Sequence, residues 1–193
     1  ALQLVSEIQF KRNLIVYSEI NHIGFDNFDE IVAVPDSKMQ QVRTDVVQYL
    51  RSSNTQLAKL HIDYLWSPKK NIYTKFSTGL YEQMYGGAGF EMLYIPFNKK
   101  YWIGLEGFSV KQRGFNQDLK FKEYKTETGH INFGYQLPLN IELNLSYGRY
   151  LAKDKGYTVD LSRTTKSGVK AGAYITITDV PSEVFGEGSF DKG

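Results

Sequence analysis

The sequence has no cysteine among its 193 residues. This excludes a disulfide framework, a thiolate metal site and a catalytic thiol, and it is compatible with an oxidising compartment without requiring one. A run of 18 apolar residues is lacking too, so no transmembrane helix is expected. Charge of one sign is not in excess: Lys plus Arg number 23 against 21 Asp plus Glu, with no block of five or six like charges. No nucleic-acid partner is therefore expected. The three histidines, His22, His61 and His130, show no H-x-x-x-H spacing. With no thiol to join them, neither a metal nor any other cofactor is expected. Gly86-Gly87-Ala88-Gly89 lacks the Lys-Ser/Thr of a phosphate loop and precedes a strand, so these glycines read as turn residues. Asp26, Asn27, Asp29 and Glu30 do not match the spacing of a calcium loop and read as a solvated acidic turn. The opening residues, Ala1 to Glu7, lack Met and a basic segment, so an export signal is expected upstream or already removed.

What the chain has instead is alternation. Aromatic residues make up 15% of it, with 14 Tyr and 12 Phe. Between His130 and Thr178 four segments place apolar and polar residues in turn. Ile131, Phe133, Tyr135 and Leu137 alternate with His130, Asn132, Gly134 and Gln136; after a reversal at Leu137-Pro138-Leu139-Asn140, Leu143, Leu145 and Tyr147 alternate with Glu142, Asn144 and Ser146. Tyr157 to Ser162 and Val169 to Thr178 repeat the pattern. Period two over about ten residues means long strands with one apolar and one polar face.

Leu2 to Phe10 and Asn13 to Ile20 form an expected first pair, and residues 21–56 a long loop. Within that loop Met39, Val42, Val46 and Leu50 recur at helical spacing, predicting a short helix near residues 37–51 capped by Asp36 or Ser37. From Leu57 onward about eight further strands follow, about ten in all. Connections at Pro68, Pro96, Pro138 and Lys166-Ser167-Gly168 read as tight; those at Tyr81 to Gly89, Lys111 to Lys125, Leu151 to Gly156 and after Asp179 read as longer. Short turns on one side and long loops on the other are the organisation of outer-membrane barrels. The expected fold is therefore all-β, an antiparallel up-and-down transmembrane β-barrel or part of one, with one short helix in a loop. Tyr64, Trp66, Tyr101 and Tyr147, near strand ends, suit interfacial girdles. A soluble sandwich or lipocalin-like barrel is the alternative, since its strands also alternate.

The polar face would hold Lys59, His61, Asp63, Glu106 and His130, with Asn132, Glu142, Asn144, Asp160 and Lys170. A dry core would not accept these groups unpaired. Mixed charges and amides suit contact with a polar polymer, and the aromatics Tyr81, Tyr85, Phe115, Tyr124 and Tyr157, placed in loops, would stack on sugar rings. Ser146, Ser162 and His130 fall on the same side, which keeps a hydrolase in the barrel wall open, although nothing specifies its geometry. Arg149 is expected on the outward side, against lipid phosphates.

The stretch Gly79-Leu80-Tyr81-Glu82-Gln83-Met84-Tyr85-Gly86-Gly87-Ala88-Gly89-Phe90-Glu91, continuing to Pro96-Phe97, resembles the YjbH family of exopolysaccharide and capsule secretion proteins. So do Val110-Lys111-Gln112-Arg113, Gly148-Arg149-Tyr150-Leu151-Ala152, Asp160-Leu161-Ser162-Arg163 and Gly186 to Gly193. The resemblance implies an outer-membrane β-barrel of Gram-negative bacteria, longer than this chain and without established catalytic residues. Its implied role is non-catalytic, in exopolysaccharide or capsule export or surface assembly. The expected partners are the polysaccharide, outer-membrane lipid and other secretion proteins. A polysaccharide-modifying enzyme and a soluble carbohydrate-binding module are the alternatives.

Overall fold

The computed structural model describes residues 2–24, 39, 45–181 and 184. Ten strands form one antiparallel sheet in which every strand pairs with its neighbours in sequence. They are β1 (Leu2–Lys11), β2 (Leu14–His22), β3 (Thr55–Lys69), β4 (Ile72–Leu80) and β5 (Tyr85–Tyr94), then β6 (Tyr101–Arg113), β7 (Phe121–Leu137), β8 (Ile141–Arg149), β9 (Lys155–Thr164) and β10 (Lys170–Thr178). One helix, α1 (Val46–Ser52), precedes β3. The up-and-down order and the strand count are as the alternation predicts. Asn21 stands opposite Gln56, so the N-terminal pair joins the rest in register.

Closure is not seen. Among the described residues β1 and β10 are both edges, each with one neighbour. β1 is exposed on both faces, Leu2 at 75% and Leu4 at 66%, because only β2 covers its flank. The pairing nevertheless carries the stagger that a barrel needs. The row that starts at Trp66, near the turn end of β3, runs through Thr74, Met92, Leu105 and Ile131 to Tyr147, near the opposite end of β8.

The sheet separates its faces as the period-two pattern demands, but with the usual burial reversed. On the apolar face Ile131 is 59% exposed, Tyr147 61% and Leu161 49%. On the polar face the side chains of His130, Asp63 and Glu19 are only 12%, 16% and 10% exposed. Side chains on a concave surface screen one another and those on a convex surface splay apart, so the sheet curls toward its polar face. In β8 and β9 the apolar stripe of Tyr147, Leu145 and Leu143 opposite Tyr157, Val159 and Leu161 is bounded by Arg149 and Lys155 at one end and Arg163 at the other. At about 3.3 Å per residue the basic rows that bound the stripe stand roughly 26 Å apart along the strands, eight residues from Arg149 to Ile141 opposite Arg163. Of the expected girdle residues, Trp66, Tyr101 and Tyr147 lie near strand ends and Tyr64 deeper, opposite Leu14 and Phe76.

Two expectations need correction. The helix starts at Val46 after Asp45, whose side chain makes no cap; Asp36, Ser37 and Val42 lie outside the described residues, as do the acidic turn at Asp26 to Glu30 and the Gly186 to Gly193 motif. Its buried anchor is Tyr49, not the Val46 and Leu50 stripe. The loop asymmetry is also weaker than expected. Gly86 to Gly89 belong to β5, leaving only residues 81–84 between β4 and β5, whereas residues 95–100 separate β5 from β6. These glycines are strand residues because large neighbours need their space: the Phe108 ring lies where a Cβ on Gly89 would stand.

Candidate functional site

All ten residues expected to share the polar face do so, and nine of them meet in polar pairs: within β3 for His61 and Asp63, between adjacent strands for Lys59, Glu106, His130, Asn144 and Asp160, and across β9 for Glu142 and Lys170. Glu19 takes Lys59 at 3.0 Å, and Gln3 at 2.8 Å. His61 Nδ1 lies 3.0 Å from Asp63, and His130 Nδ1 2.9 Å from Glu106. Asn144 Nδ2 donates to Asp160 at 3.2 Å, and Lys170 Nζ to Glu142 at 2.9 Å. Asn132 stands in register between Gly104 and Ser146. Across four strands a ladder of Lys75, Glu91, Glu106 and His130 places two carboxylates side by side between two cationic or titratable partners. Such pairs across a strand register satisfy each other and keep the face hydrated. Ser146, Ser162 and His130 share the face, but His130 is bonded to Glu106 while Ser162 stands opposite Glu142 and Gly172.

The aromatic set differs from the expected one. Tyr81 is in the 81–84 connection and Phe115 in the 114–120 connection. Tyr85 and Tyr124 are strand residues, and Tyr85 is 2% exposed, beyond reach of a ligand. Tyr157 is on the apolar face, where the register with Tyr147 fixes it. The polar face has its own aromatic strip. Tyr17 stacks on His61 at 5.1 Å between ring centroids, His61 meets Tyr81 at 5.9 Å, and Tyr81 meets Phe108 edge-on at 5.5 Å. Trp102, missed as a candidate, lies across Gly134, where its indole occupies the space of a missing Cβ. The only sequence signal was parity: Trp102 alternates with Tyr101 and Ile103, on the side of Glu106.

At the end of the face where β6 and β7 join, α1 packs onto the sheet. Tyr49 is fully buried against Met84, Tyr85 and Val110, with Phe115 edge-on at 5.2 Å. Arg113, fully buried, ties this end together. Its guanidinium donates to the carbonyls of Glu82 and Gln117 at 2.8 Å, Leu57 at 2.9 Å and Ala58 at 3.3 Å. Its own carbonyl accepts from the Tyr49 hydroxyl at 2.6 Å, and Gln112 donates to Asp45 at 2.8 Å. Burial pushes the Glu82 carboxyl up to about 7, against the opposing pull of Arg113 and Lys59. This cluster is a plug that closes one end of the polar face. The residues it leaves open are the ladder, Trp102 and the Asn144–Asp160 pair.

The comparisons with known proteins bear on what such a surface is for. The YjbH family model, described as "Exopolysaccharide biosynthesis protein YbjH", matches residues 1–193. The chain belongs to the YjbH family. It is 35% identical over 176 residues to "Uncharacterized lipoprotein YjbH" of Escherichia coli (strain K12), covering 88% of this chain and 25% of that protein. The chain thus spans a quarter of the length of that YjbH relative. No solved structure matches it.

Proposed function

We propose that this YjbH segment is part of the wall of an outer-membrane β-barrel that assists exopolysaccharide or capsule export or surface assembly without catalysing a reaction. The observation that carries the reading is the inverted burial. A convex face of aliphatic and aromatic side chains, uncovered from β3 to β10, is far larger than the apolar patches that water-soluble monomers expose. A concave face of paired charges and amides is what a hydrated lumen requires. The separation of the basic rows at the two rims of the apolar stripe, measured along the strands, is comparable with the band of about 25 Å on such barrels. Arg149, Lys155 and Arg163 would meet lipid phosphates at its two rims. The free edges of β1 and β10 are where further strands of the complete wall pair, since open edges are not tolerated in lipid.

The family description brings in the polymer, and the E. coli relative's printed name, lipoprotein, brings in a membrane. The proposed partners are the polysaccharide, outer-membrane lipid and other secretion proteins. The test is made in cells that produce the polymer. Glu142→Gln together with Asp160→Asn is expected to leave the amount of protein in the outer membrane unchanged and to lower the polysaccharide reaching the surface. Unchanged surface polysaccharide when the whole protein is deleted would contradict the proposal.

A further inference from the structure

The polar face is not neutral. Away from α1 it has, among the described residues, three lysines, and each is already bonded to a carboxylate: Lys59 to Glu19 at 3.0 Å, Lys75 to Glu91 at 2.8 Å, Lys170 to Glu142 at 2.9 Å. Four further carboxylates, Glu7, Asp63, Glu106 and Asp160, share the face. Histidine or amide is what the last three bond: His61, His130 and Asn144. Acid therefore exceeds base on the surface that faces the lumen, while the unpaired basic residues Arg149, Lys155 and Arg163 sit on the opposite face.

Toward the tight-turn end of this face, away from α1, lies a shaped recess lined in part by Leu65, Tyr73 and Leu93. A depression of about 360 Å³ is bounded by Lys75, Glu91, Trp102, Glu106 and Asn132, with Gly104 in its floor. The Trp102 indole packs over Gly134, where a Cβ would overlap it, with Gly104 close beside it, and it lines the recess. A pyranose ring has an apolar face of C–H groups that stacks on an indole, and an ammonium near the ring is attracted by its π-system. Hydroxyl and ammonium groups at the sugar's edge would find acceptors in the Glu91 and Glu106 carboxylates and an amide in Asn132.

We infer that the Trp102 recess is a sugar-binding subsite, and that the acidic surplus around it selects amine-bearing polysaccharide, such as a hexosamine polymer with free amino groups, over uronate-rich polymer. The inference rests on the proposal that this face meets polysaccharide, and it adds which residue stacks and which charge class is admitted.

The test is calorimetric titration of the purified protein in detergent micelles with three hexasaccharide probes: glucosamine, galacturonate and glucose oligomers. Glucosamine hexamer is expected to bind at least tenfold more tightly than galacturonate hexamer, with a preference that shrinks as salt rises. Trp102→Ala should weaken the glucosamine probe at least tenfold, with Trp102→Phe between the two and both variants keeping wild-type circular dichroism. Glu106→Gln should weaken glucosamine binding more than glucose binding. Galacturonate binding as tight as glucosamine, or binding that Trp102→Ala leaves unchanged, would overturn the subsite while leaving a glycan-facing surface in place. Failure of all three probes to bind would overturn the subsite and the polysaccharide reading together.

Discussion

The two faces of this sheet are made by the same strands from alternate residues, yet they follow opposite rules. On the convex side Ile131, Tyr147 and Leu161 have their large side chains about half exposed. On the concave side Glu19, Asp63 and His130 are mostly screened, each held by a partner within 3.0 Å. In a water-soluble sandwich the apolar side would be the screened one, packed on a second sheet. Among the described residues the only packed layer here is α1 and its surrounding loops, and it sits on the polar face at one end. The lesson is that alternation alone gives two faces, while curvature says which is inside. The register supplies the stagger, and polar pairs such as His130–Glu106 and Lys75–Glu91 let a concave polar face stay open.

Five substitutions would break or sharpen this contrast. The largest effect is expected where the polar face is no longer open. Arg113→Met removes a guanidinium that serves four carbonyls and should cost about 3–5 kcal/mol, given about 1–3 kcal/mol for each buried group left unsatisfied and partial relaxation of the rest. Protease sensitivity confined to α1 and the 114–120 connection would be the readout. Next is Leu145→Arg, at the centre of the apolar stripe, which should impair insertion into bilayers by about 2–4 kcal/mol. The neighbouring Ser146→Arg, on the polar face, should cost much less; equal costs would erase the distinction between faces.

A smaller effect comes from Glu82, whose folded carboxyl titrates near 7 rather than the ordinary 4.5 because it is buried. The folded form keeps a proton that the unfolded form has lost, so this contribution is fully present below pH 4.5, declines as pH rises to about 7 and is flat above. Hydrogen exchange at the plug should therefore quicken between pH 5 and pH 8 by the equivalent of about 1–3 kcal/mol. Glu82→Gln should remove that dependence. The smallest effect is at a pair on the open polar face: Asp160→Asn keeps a hydrogen-bonding group beside Asn144 and should change thermal stability by less than about 0.5 kcal/mol.

Much of this architecture was legible in the sequence because a period of two, sustained from Leu57 to Thr178, leaves little choice of face or neighbour. All ten polar residues named for the lumen fall on one side for that reason. The plug was not legible. Arg113 meets Leu57, Ala58 and Glu82 across 31 to 56 residues of chain, and no local pattern encodes such a meeting. Gly86 to Gly89 misled the placement of a loop, since glycine marks turns more often than strand floors beneath rings. Tyr85 and Tyr124 were misplaced with it, being strand residues next to the same plug. Trp102 was passed over because an aromatic on the polar side looks like an exception until Gly134 is seen beneath it.

The central claim is that the convex face meets lipid and the concave face meets water, and the absence of cysteine makes it directly testable. Single cysteines placed in turn from Ile141 to Arg149, in protein reconstituted in bilayers, can be probed with a water-soluble maleimide and with a lipid-borne quencher of an attached fluorophore. The account predicts a strict alternation: positions 143, 145 and 147 slow to label and strongly quenched from the lipid, positions 142, 144 and 146 labelled readily and poorly quenched. Uniform labelling of both sets, or quenching of the even positions instead, would contradict it.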